Sequence, residues 1–171
     1  MKTVAVTIAI ITAFLGDVFA TSFAPPKDRL VKSENEHFVL RVHAKNGKHE
    51  VFAAKNPKRV LWSFTRPIWH DEYFVSDDGS RVVWIAWEFV KTDELQNNAV
   101  EIWSKDGIAK KASFKEVGDI HRPSSEQVAP IGDFWRIWRD DCTCKNGIIT
   151  LLQRRKNSVR VDLNHTTITK G

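Results

Sequence analysis

The sequence predicts a mostly β protein. It is expected to be an antiparallel meander of hairpins, propeller-blade-like or folded as a two-sheet β-sandwich, with at most one short helix. Three observations carry this reading. Phe74 to Ile85 reads as strand, tight turn, strand, with Asp78-Gly79 where a hairpin needs positive φ. Four such X-Gly turns recur, at Gly47, Gly79, Gly107 and Gly147. Their spacings of 32, 28 and 40 residues are too uneven for a strict repeat array. Between the turns, apolar residues alternate with polar ones at the period of a half-buried strand.

The elements follow in chain order. Residues 1–20 match a secretory signal peptide, with a positive Lys2, an uncharged apolar run from Thr3 to Leu15, and a small-x-small end at Val18-Phe19-Ala20. The run is shorter than the ~20 apolar residues a bilayer span requires, and Asp17 closes it. Cleavage is expected before Thr21, which places the mature chain in the periplasm or outside the cell with no transmembrane segment. About 150 residues remain, enough for one core. Residues 21–32, with Pro25-Pro26, read as a linker, residues 33–168 as a single β domain, and residues 169–171 as a tail.

The first strand is His37–Ala44, and Asn46-Gly47 turns it into Lys48–Ala54. Arg59–Thr65 is the third strand, ended by Arg66-Pro67. Tyr73–Ser76 leads into the Asp78-Gly79 turn and Arg81–Val90 leads out. That outgoing strand is apolar on both faces, as a strand between layers would be. Lys91–Asn98 is a polar loop. Ala99–Ser104 and Ile108–Phe114 flank Asp106-Gly107. Lys115–Ile120 suits a short helical turn, and His121–Pro130 a long irregular loop. Phe134–Arg139, Ile148–Gln153 and Val159–Leu163 complete the strands.

The order of these signals resembles a group of uncharacterised secreted bacterial proteins. Ser76-Asp77-Asp78-Gly79 followed by Arg81-Val82-Val83 is similar to the hairpin core of TolB-like and WD40-like propeller repeats. The wider resemblance runs from Leu61-Trp62 through Trp84/Trp87, Ala99–Ile102 and Lys105–Gly107 to Ser124-Ser125 before Trp135/Trp138. It implies a fold and export, and it transfers no catalytic residue.

The chemistry-bearing candidates are few. Trp135-Arg136-Ile137-Trp138-Arg139 sets aromatics beside guanidiniums, a combination suited to a binding surface, so Trp135, Arg136, Trp138 and Arg139 are the expected binding residues. Cys142 and Cys144 are the chain's two cysteines. Two apart in a strand they sit ~6.6 Å apart, at the far edge of disulfide geometry. A strained disulfide, a free thiol pair and a metal or redox role all stay open for them. Zinc would need two further ligands, such as His121 or His165, that no spacing supplies. His37 and His43 share an exposed strand face, with His49 across the turn. His70-Asp71-Glu72 could carry acid–base chemistry in a hydrolase-type enzyme. No nucleophile elbow, phosphate loop or zinc-protease motif is present in the sequence, and no cofactor is implied.

The expected function is a non-enzymatic binding domain of the envelope or extracellular space, with an enzyme or a thiol-based sensor as the alternatives. A net charge of +5 and a pI near 9.3 suit an envelope protein or anionic polymer as partner rather than nucleic acid. The basic residues are scattered rather than blocked.

Overall fold

The structure is a computed structural model that describes residues 25–67, 71–87, 89–118, 120, 135–153 and 157–171. The signal-peptide reading, the His121–Pro130 loop and His70 lie outside the described residues. The mostly β prediction holds. Sheet I contains β1 (Arg29–Lys32), β2 (Phe38–Val42), β3 (Lys48–Ala53) and β4 (Val60–Thr65) in chain order. Sheet II contains β5 (Glu72–Val75), β6 (Arg81–Ile85), β8 (Asn98–Ser104) and β9 (Gly107–Ser113). Sheet III contains β11 (Asp141–Lys145), β12 (Ile148–Leu152), β13 (Ser158–Asp162) and β14 (Thr167–Lys170). All neighbours pair antiparallel. Strand β7 (Phe89–Lys91) leaves sheet II and pairs with β10 (Trp135–Ile137). The α1 turn (Phe114–Val117) follows β9, held by a Ser113–Glu116 capping box.

Each sheet is a four-stranded meander, and one apolar core runs through all three. Sheet II is the central layer, which explains the two-faced apolar pattern of β6. On one face, Trp84 lies beneath the Arg66 guanidinium of sheet I at 3.3 Å from the ring centroid. On that same side Trp103 stacks on Phe64 at 4.8 Å. Val83 and Ile85 occupy the opposite face and are equally buried. Sheet III supplies Ile149, Leu151, Val159 and Val161 to the same core.

The Asp78-Gly79 hairpin is also the joint between sheets I and II. The Asp78 carboxylate accepts from Ser76 Oγ at 2.6 Å and from Ser80 N at 2.9 Å, closing the turn. Gly79 has φ of 67°, and a Cβ there would come within 2.2 Å of the Phe38 ring. Its carbonyl accepts from Trp62 Nε1 at 2.8 Å. Turn geometry and inter-sheet packing therefore demand glycine at one position.

Four element readings are corrected. Arg81–Val90 is two strands, not one. Beyond Ile85 the chain's carbonyls are taken by side chains: Ala86 O by Arg139 Nε and Trp87 O by Trp138 Nε1. The ladder ends there and β7 starts on another partner. The stretch read as a linker contains β1, paired with β2 from Arg29↔Val42 to Lys32↔Val39. Asp141–Lys145, not read as a strand, is β11, and β14 reaches into the residues read as a tail.

Candidate functional site

Two of the four residues of the expected aromatic–basic surface are buried. Trp138 has no exposed area and Arg139 is 3% exposed. Trp138 Nε1 donates to the Trp87 carbonyl at 2.6 Å, and its ring meets Phe114 edge-on at 5.4 Å. Arg139 Nη2 pairs with Glu72 Oε1 at 2.6 Å. The pair fixes the segment after β10 to the start of β5. Trp135 and Arg136 stand on β10, opposite Lys91 and Val90. The physical reason is hydrogen bonding: the Trp138 and Arg139 side chains turn inward to donate to the Trp87 and Ala86 carbonyls beyond β6.

Cys142 and Cys144 are free thiols. They point to the same face of β11 and pack against the core beside Leu151 and Ile149, their register partners. Burial, then the Glu72 carboxylate, pushes the Cys142 thiol up to about 12. Burial, then Glu34 and Asp77, pushes Cys144 up to about 11. Both are therefore protonated and poorly nucleophilic near neutral pH. In the folded protein, alkylation by iodoacetamide at pH 8 is expected to proceed at least tenfold more slowly than in urea, read by intact mass. Equal rates in the two conditions would contradict this packing. No group of three or more His, Cys, Asp and Glu among the described residues is placed to hold a metal.

His49 is a second correction. The sequence sets it across the turn from His43 on a solvated face. The structure pairs it with Val42 and buries it completely between sheets I and II. Its Nε2–H donates to the Arg66 carbonyl at 3.0 Å, and Phe64 and Tyr73 pack against its ring. Asp71 is buried, and its carbonyl accepts a bond from Arg29. Glu72 is held by Arg139.

The structure does gather a basic site that the sequence shows only as scattered lysines. Strands β9 and β14, the outer strands of sheets II and III, run beside each other and enclose a cleft of about 250 Å³. Lys110 and Lys111 enter it from β9 and Lys170 from β14. Val117, Val159 and Ile168 form its apolar floor. Lys170 lies against Gly118, where a Cβ would come within 2.1 Å of its Nζ. The one carboxylate among the described lining residues, Glu116, already accepts from Ser113 N at 2.7 Å and Ser113 Oγ at 2.8 Å. Those bonds hold its pKa below the ordinary glutamate value. The three lysines form no ion pair with a described residue, so the cleft carries a surplus of positive charge. The available signal was the density of lysine around Gly107–Ser113, with Lys105 before it and Lys115 after.

No family model matches the chain. No curated protein sequence matches it. Among solved structures, it is similar to Hsv2 of Kluyvelomyces marxianus at 9% identity and a TM-score of 0.39, covering 77% of this chain and 34% of that one. It is also similar to the N-terminal domain of Nup159 at 13% identity and a TM-score of 0.39, covering 87% and 34%. A protein of Bacteroides fragilis described as exported matches at 10% identity and a TM-score of 0.36, covering 84% and 57%. The chain spans about a third of the length of the first two.

Proposed function

We propose that the protein is an exported, non-enzymatic binding domain that captures an anionic polymer of the envelope or extracellular space at the β9–β14 cleft. The observation that carries this reading is the cleft itself, which three lysines line and whose one described carboxylate is committed to a helix cap. An apolar floor beneath them lets the lysine stems pack while the charged heads stay in water. The overall charge of +5 adds long-range attraction to the same class of partner. Export rests on the leader reading of residues 1–20. No helix among the described residues is long and apolar enough to cross a membrane.

Binding to poly-L-glutamate tests the proposal. The triple variant Lys110→Ala, Lys111→Ala, Lys170→Ala is expected to bind at least about tenfold more weakly at low salt, a loss of about 1.4 kcal/mol. Added salt should weaken the wild-type protein more steeply than the variant, because fewer counterions are released once the lysines are gone. A control carrying Lys45→Ala, Lys55→Ala and Lys58→Ala removes the same formal charge from exposed positions elsewhere. If the control loses as much affinity as the cleft variant, binding is a net-charge effect and the site is wrong.

A further inference from the structure

A second cleft, of about 390 Å³, opens where the end of sheet I meets the start of β8. Its described lining is Arg66, Gln96, Asn97, Asn98 and Glu101, all polar side chains. Glu101 forms its floor at 2% exposure. The carboxylate is held from two sides: Asn98 Nδ2 donates to Oε1 at 2.7 Å and Trp103 Nε1 donates to Oε2 at 2.9 Å. Arg66 lies flat on the buried Trp84 ring, with Nε 3.4 Å from Glu101 Oε2. That contact is an ion pair without hydrogen-bond geometry, since the buried Nε has no hydrogen-bond partner. No guanidinium N–H of Arg66 donates to a described residue. A buried Nε without a hydrogen-bond partner beside a fixed carboxylate is a costly arrangement unless something else accepts from it.

The chemistry of the lining limits what can do so. A phosphate or carboxylate would meet Arg66 but also the Glu101 carboxylate, which offsets the cation and repels a second anion. A metal ion or ammonium would meet Glu101 and be repelled by Arg66. A neutral ligand whose groups both donate and accept suits every partner: Arg66 donates, Glu101 accepts, and the carboxamides of Gln96, Asn97 and Asn98 do either. Vicinal hydroxyls have that property. The cleft lies near the lower end of small-ligand site volumes and lacks the apolar walls of a typical drug-like pocket. We infer that this cleft binds a neutral saccharide, as a site distinct from the lysine cleft, with Arg66 and Glu101 holding hydroxyls and Asn97 and Gln96 on the rim.

Saturation-transfer NMR on the full chain tests it, with glucose and N-acetylglucosamine as probes and inorganic phosphate as competitor. Transfer to at least one sugar is expected, unaffected by phosphate. Arg66→Lys keeps the charge but loses the fork and should weaken binding at least tenfold. Asn97→Ala alters only an exposed side chain, because its backbone bonds to Glu94 and Phe114 remain, and should weaken it severalfold. The Lys110/Lys111/Lys170 variant should bind sugar as the wild type does, which separates failure here from failure of the anionic-polymer site. No transfer to either sugar, displacement by phosphate, or full binding by Asn97→Ala would each overturn the inference.

Discussion

Replacing Trp138 by alanine is expected to destabilise the protein by about 3–5 kcal/mol, the range for deleting a large buried aromatic side chain. Trp138 has no exposed area and sits where β10, α1 and the end of β6 meet. Truncation removes its apolar contact with Phe114, opens a cavity, and removes the Nε1 donor from the part-buried Trp87 carbonyl. The Gln153 amide, which donates to the Trp138 carbonyl at 2.9 Å, loses the fixed position of that acceptor. Domains of this size have a total stability of roughly 5–15 kcal/mol, so the alanine variant should be partly unfolded at warm temperatures. Trp138→Phe keeps most of the apolar volume and loses the indole N–H, and is expected to cost about 1–3 kcal/mol. Urea denaturation measures both, with the midpoint falling and the slope unchanged. An alanine variant within about 1 kcal/mol of wild type would sink this account. A binding surface predicts the opposite pattern, intact stability with lost capture, so the experiment also separates the two meanings of the Trp-Arg-Ile-Trp-Arg stretch.

That stretch shows which part of the molecule was legible in the sequence. Local rules worked wherever the determinant was local. All four X-Gly turns have positive φ at the glycine, and the Asp78-Gly79 turn is closed by its own neighbours. The apolar alternation of β12 also transfers directly into burial. Non-local pairing was not legible. Strand β10 finds β7 across more than forty residues, and no periodicity in either segment announces it. The burial of Trp138 and Arg139 follows from that pairing. The cysteine stretch is a different kind of miss. Asp-Cys-Thr-Cys-Lys alternates at period two with the cysteines inward, but it carries no large apolar residue to mark it as a strand. The short outer strands β1 and β14 carry charge and threonine, and read as linker and tail because an edge strand needs little apolar signal. The lysine cleft depends on β9 meeting β14, so its residues lie about sixty positions apart in the chain. The Arg66–Glu101 cleft likewise joins the end of sheet I to β8.

The buried His49 makes the fold sensitive to mild acid. Burial lowers its pKa from 6.5 to about 4, against the raising effect of the bond to the Arg66 carbonyl, with lesser lowering from His43, Arg29 and the Arg66 guanidinium. The sign follows from proton uptake. Above pH 6.5 the imidazole is neutral in both states and contributes no pH dependence. As pH falls from 6.5 towards 4 the unfolded chain takes up a proton that the folded protein refuses, so stability falls. Below about 4 both states are protonated and this contribution levels off. The shift corresponds to about 3 kcal/mol lost across that window. Carboxylates act at lower pH. Asp78, Glu50 and Asp162 are held below their ordinary values by hydrogen bonds or charges, and the stability they contribute is lost mainly as pH falls through and below 4. The histidine step can therefore be read apart from acid denaturation. The urea midpoint of the wild-type protein should fall steadily between pH 6.5 and 4. His49→Phe should lower stability at neutral pH, because the Arg66 carbonyl loses its donor, and should flatten that slope. Parallel slopes in the two proteins would show that His49 is not the group refusing the proton.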